Sequence, residues 1–267
     1  MGVIQTDAWM DEHFFNPLEL CNLASPDVEN HAQYYQYLRR FGMYQPSRRT
    51  YEMFTRLKEQ EAWQHVEKYY KKYKKLWKGP DVDIYIFPIE PTRQFMLEMK
   101  GRSGLTFPDK IFLFLSPVDD VKIWESLLVH EYHHAARMNR YNKDPEDYNL
   151  LDSLIFEGLA EHAVQKYCGK EYTADWMKLY ERDNLQHYWN RVYKERLQLS
   201  KKHPFHDDLL FGRKGIPRMM GYALGADIIM GYEGKQPLTV QESFNIPSEK
   251  ILLDKNTYYG ETEQASE

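Results

Sequence analysis

Hydrophobic and polar positions predict a helical region over 27–78, clearest where Trp63, Val66, Tyr70, Tyr73 and Trp77 recur at three- and four-residue steps with lysines between them. Gly79 and Pro80 stop that pattern. The period then changes to two. In DVDIYIFPI, Val82, Ile84 and Ile86 alternate with Asp83, Tyr85 and Phe87, which predicts a strand, and KIFLFLS over 110–116 predicts a second. GRSG and Pro108 supply turn and breaker signals between the two. Asp119 or Asp120 caps a further helix that runs to about Asn139, and KDPEDYNLLDSLIFEGLAEHAVQKYCG predicts another that ends near Gly169. A long polar helix is expected over 173–202, a shorter buried one over 217–232, and a frayed tail from Asn256 on. The fold class is α+β and mostly helical, with a small sheet followed by two helices.

Those two helices carry the chemistry. His130, Glu131 and His134 match H-E-x-x-H, in which two imidazoles one turn apart share a zinc ion and the glutamate reaches a water. At 100° per residue Ile123, Leu127, His130, His134 and Met138 fall in one arc, so the histidines interrupt an apolar stripe. His133 falls with Lys122, Ser126 and Arg137, a side expected to face solvent. A catalytic zinc takes three protein ligands, so one more is needed. On the next helix Glu157 and Glu161 are four apart on a face shared with Leu150, Leu154 and Val164, where carboxylates are costly unless paired or bound to a metal. Glu157 is assigned as the third ligand of one zinc per chain. Glu161 is assigned to hold the free ring N–H of a ligand histidine; the swapped assignment stays open.

Composition narrows the alternatives. The 267 residues carry a net charge of -5, which disfavours nucleic acid as a partner. Cys21 and Cys168 are too few for a disulfide framework or a thiolate zinc site, and a reducing, cytoplasmic location fits them. The stretch MGVIQTDAWMDEHF lacks the basic and apolar regions of a secretory signal, and no run approaches the ~18 apolar residues of a membrane span. Gly2 and Thr6 fit a short myristoylation pattern that often matches by chance. The basic run KYYKKYKKLWK reads as the solvated face of a packed helix rather than a membrane or nucleic-acid patch. Cys168 and His162 read as structural, while His203 and His206 flank a proline in an expected loop.

The chain also resembles the gluzincin metallopeptidases, in which H-E-x-x-H is followed on the next helix by E-x-x-x-D/E; here Glu161 takes the last place. More closely, VHEYHH, FEGLAEH, PRMMGYALG and GVIQTDAWM resemble the YjaZ-type family of predicted zinc-dependent proteases across nearly the whole chain. The resemblance implies a bacterial cytoplasmic peptidase acting on peptide or protein substrates. It implies a helical N-terminal region over 1–80 and a zincin-like catalytic region over 81–267, or one continuous domain. It also implies an oxyanion-stabilising Tyr222, with Arg218 and His206 behind it, although a core tyrosine beside close-packed glycines explains Tyr222 equally well. The segment 104–116 takes the role of an edge strand that holds substrate extended. Glu131 is then the general base of hydrolysis. The rival readings are a non-catalytic protein with a structural or regulatory zinc site, and a metal-free helical protein.

Overall fold

A short strand, β1 (Gly2–Val3), precedes five helices: α1 (Thr6–His13), α2 (Pro17–Ala24), α3 (His31–Arg40), α4 (Arg48–Glu59) and α5 (Ala62–Trp77). Three strands follow, β2 (Asp83–Pro88), β3 (Arg102–Thr106) and β4 (Lys110–Leu115), and then α6 (Lys122–Arg140) and α7 (Leu150–Tyr167). The remaining helices are α8 (Arg182–Tyr188), α9 (His206–Phe211), α10 (Met220–Glu233), α11 (Val240–Ser243) and α12 (Ser248–Leu252). This is a computed structural model, and it describes residues 1–92, 96, 100–252 and 258; most of the tail beyond Asn256 lies outside them. The chain divides into two compact units, 1–139 with 167–172, and 140–166 with the chain from 173 on. The fold is α+β and mostly helical.

In the first unit the sheet order is β1-β2-β4-β3, with β2 parallel to both β1 and β4, and β3 antiparallel to β4. After its first residue each of β2 and β4 is buried throughout, so the alternation read in DVDIYIFPI does not separate a wet face from a dry one. Both faces are covered, as is usual for parallel strands. Ile84 pairs with Ile111 and Ile86 with Leu113 on one face; Tyr85 pairs with Phe112 on the other, their rings stacked at 5.0 Å. Each such apolar side chain contributes roughly 1.5–3 kcal/mol on burial.

Helix α5 buries the expected stripe of Trp63, Val66, Tyr70, Tyr73 and Trp77. Trp77 stacks on Tyr132 of α6 at 5.6 Å, and Tyr70 meets the same ring edge-on at 5.3 Å. Of the intervening lysines, Lys71 pairs with Glu67 and Lys74 with Asp81 along the outer side, while Lys72 reaches the buried Glu125. The helix ends at Lys78, in the left-handed conformation with φ 49°. Gly79 is needed for a different reason, since a Cβ there would stand 2.8 Å from Tyr132 Cζ.

GRSG is not a turn. Arg102, Ser103 and Gly104 lie within β3, and among the described residues β3 is an edge strand. At the other edge, Glu67 accepts the Val3 amide at 2.9 Å and pairs with Lys71 Nζ at 2.9 Å. Burial alone raises the Glu67 carboxyl, but these two bonds outweigh it and hold the group below the usual carboxylate range. A depressed folded pKa contributes stability above the unfolded value, about 4.3, that is lost as pH falls through the folded value. Urea midpoints measured across pH 3–6 are expected to show a shallower acid loss in Glu67→Gln than in the wild type; equal slopes would refute the linkage.

In the second unit α7 begins with reciprocal bonds: Asn149 Oδ1 accepts the Asp152 amide at 3.0 Å and Asp152 Oδ2 accepts the Asn149 amide at 3.1 Å. The buried Asp152 also receives Lys143, Tyr141 and Ser248, which satisfies its charge. Helices α7 and α10 meet backbone to backbone at Gly158 and Gly225. The expected long helix over 173–202 is broken into a 3-10 turn at Asp175–Lys178, then α8, then a π turn at Trp189–Tyr193. Its buried residues Leu185, Trp189, Tyr193 and Leu197 recur every four positions. An α-helix would rotate each successive one by about 40°, and the wider π turn takes up that drift.

Candidate metal centre

From Trp124 to Arg137 every residue of α6 is buried except His130. His133, expected at the surface, is fully buried, and so are Ser126 and Arg137 on the same side. The reason is that α6 is covered on more than one side. The Trp77 ring lies edge-on to His133 at 6.3 Å, and Ser126 Oγ accepts a bond from Arg102 of β3 at 2.5 Å. A polar residue on a helix face reports solvent only when nothing polar awaits it inside.

The rings of His130 and His134 stand 4.6 Å apart at 83° to each other, as i, i+4 spacing dictates. Glu131 is buried against β3: its Oε2 accepts the Thr106 hydroxyl at 2.6 Å, and its side chain occupies the space over Gly104. A Cβ at position 104 would stand 2.5 Å from Glu131 Cγ. The strand therefore needs glycine there for close approach.

In α7 all residues from Leu150 to Val164 are buried except Phe156 and Glu157. One candidate ligand atom from each of His130, His134 and Glu157 lies within 4.8 Å of the other two. Two imidazoles and one carboxylate match the donor set of zinc sites that keep a position open for water or substrate. Glu161 is buried, and its Oε2 accepts the Ala174 amide at 2.8 Å.

A family described as "Predicted Zn-dependent protease (DUF2268)" matches residues 62–253, and the match takes in both helices. The chain belongs to this family. Over 94% of its length it is 32% identical to the uncharacterized protein YjaZ of Bacillus subtilis (strain 168), covering 98% of that protein. A second relative from this organism, the uncharacterized protein YjfC, is 22% identical over 48% of the chain and 45% of its own length. No solved structure matches. No helix among the described residues is long and apolar enough to cross a membrane.

The other sequence candidates have their own surroundings. The half-buried Tyr222 ring meets Trp176 at 5.2 Å and Phe211 at 5.7 Å, edges of a core that includes Leu154, Trp189 and Leu224. His206 is buried, with Nε2 3.0 Å from Ser153 Oγ and Nδ1 3.0 Å from Asp207 Oδ1. The Arg218 carbonyl accepts the Tyr180 hydroxyl at 2.5 Å. His162 Nε2 lies 3.2 Å from Glu233 Oε1. Cys168 is buried, and burial, followed by the nearby Glu125 charge, pushes its thiol up to about 11, far from a reactive thiolate.

Arg102, Gly104 and Thr106 were not singled out by sequence reasoning. Their signal was GRSGLT itself: a strand interior with a glycine, two residues either side of which are polar, just upstream of H-E-x-x-H.

Proposed function

We propose that the chain is a zinc-dependent peptidase that hydrolyses peptide bonds with Glu131 as general base. The observation that carries this reading is the convergence of His130, His134 and Glu157 ligand atoms within 4.8 Å. Those three residues would hold the ion. When bound, zinc supplies Lewis-acid chemistry, acidifying a water and polarising a carbonyl. Glu131 then accepts the proton of the attacking water and returns it to the leaving amine. Glu161, one turn beyond Glu157, steadies a ligand histidine, and Tyr222 stabilises the oxyanion.

Among the described residues no strand pairs with the outer side of β3, and that edge suits an extended peptide. Gly101 and Phe107 are bonded to Ser116 and Lys110 of the neighbouring chain segment. By the alternation of an antiparallel ladder, the backbone groups of residues 102, 104 and 106 then point away from β4. A substrate strand can add there by main-chain hydrogen bonding.

A non-catalytic zinc protein would have no use for a glutamate held beside the histidines and kept clear by a glycine. The test uses untagged protein, elemental analysis and a broad peptide library. Chelation is expected to abolish hydrolysis and zinc to restore it. Zinc at about a thousand times its dissociation constant should also stabilise the fold by about 4 kcal/mol. Hydrolysis that survives complete metal removal, or failure to bind zinc on reconstitution, would overturn the reading.

A further inference from the structure

We propose that Thr106 is a positioning residue for Glu131, setting which carboxylate oxygen is presented to water. The inference rests on the peptidase reading above and deepens it. Alternate residues of β3 share one face, and 102, 104 and 106 all engage α6. Arg102 donates to Ile123 O at 2.9 Å and to Ser126 Oγ, Gly104 makes room for the Glu131 side chain, and Thr106 bonds its Oε2. The spacing agrees: the four residue steps from Arg102 to Thr106 span roughly 13 Å, and the eight steps from Ile123 to Glu131 span about 12 Å. Strand and helix therefore run side by side, pinned at both ends.

The Thr106 hydroxyl has one proton and two acceptors within reach, Glu131 Oε2 at 2.6 Å and Glu131 O at 3.2 Å. The shorter bond, to the carboxylate oxygen, takes the proton. Glutamate has three side-chain torsions, and fixing a long side chain costs up to about 2 kcal/mol in rotamer freedom. Gly104 gives the side chain its space, and the hydroxyl on Oε2 selects one orientation within it. Oε1, which lies over Gly104, does not share this bond and is the oxygen we assign to take a proton.

The experiment compares wild type with Thr106→Val, which keeps a β-branched side chain on the strand, and Thr106→Ser, which restores the hydroxyl. Thr106→Val is expected to lower kcat roughly ten- to a hundredfold, as expected for one lost hydrogen bond to a charged group. KM, zinc content and Tm should stay at wild-type values, and Thr106→Ser should recover most of kcat. Independently of turnover, the Thr106 hydroxyl proton in the zinc-free protein should give a resolved NMR resonance that Glu131→Ala abolishes. Thr106→Val with undiminished kcat would overturn the proposal, as would a loss matched by lower zinc content or Tm and not rescued by serine. If Thr106→Val does not fold, Thr106→Ala is read by the same criteria. A wild type without chelator-sensitive hydrolysis would overturn the peptidase reading itself, and the positioning role with it.

Discussion

Glu131→Gln is expected to lower peptide hydrolysis by a factor of roughly 10²–10⁴, the usual contribution of a positioned general base, while zinc stays bound. Glutamine matches glutamate in length and still offers an oxygen to the Thr106 hydroxyl, so the packing over Gly104 is retained. What it cannot do is accept a proton at neutral pH. The neighbouring proposed ligands His130 and His134 are untouched, so metal content should not change. Turnover and elemental analysis on the same preparations separate the outcomes. Full hydrolysis with bound metal would mean that Glu131 is not the base, whereas loss of both would mean that the substitution damaged the site rather than the chemistry.

Gly225→Ala is expected to destabilise the second unit by roughly 3 kcal/mol or more. Its Cβ would stand 2.8 Å from the Leu154 carbonyl carbon and closer still to that oxygen. The obstacle is backbone, which cannot rotate away, so α7 and α10 must separate and the Leu154, Leu159 and Leu224 core must open. Thermal unfolding should fall by roughly 6–12 °C for a chain of this size. Gly234→Ala is the control: its φ is -64° and the nearest atom to a Cβ there is 3.5 Å away. If the two variants melt alike, the close approach of α7 and α10 is not what the glycine serves.

What the sequence disclosed followed from periodicity. The α5 stripe, the apolar runs of β2 and β4, and the helices carrying His130 and Glu157 were legible because each repeats one period over enough residues to be recognised. β1 and β3 were not, because two- and five-residue strands are too short to show alternation. His133 was misplaced because a helix packed on several sides has no wet face for its polar residues to mark. The stretch 173–202 misled for the opposite reason, since a four-residue repeat looks helical while its π turn departs from the α geometry that the repeat suggests. The proposed ligand histidines needed only spacing along one helix. Thr106 and Gly104 needed a tertiary contact spanning 25 and 27 residues, which no local pattern carries.

The parallel pairing of Gly2 and Val3 with Asp83 and Ile84 has a consequence in time. Ribosomes add about 5–20 residues per second, so β1 emerges roughly 4–16 s before the strand it joins. During that interval Glu67, which accepts the Val3 amide, is also still unmade or newly made. Gly2 and Val3 are therefore among the later residues of their unit to reach a stable place, and the sheet closes at its β1 edge only after α5 and β2 have been delivered.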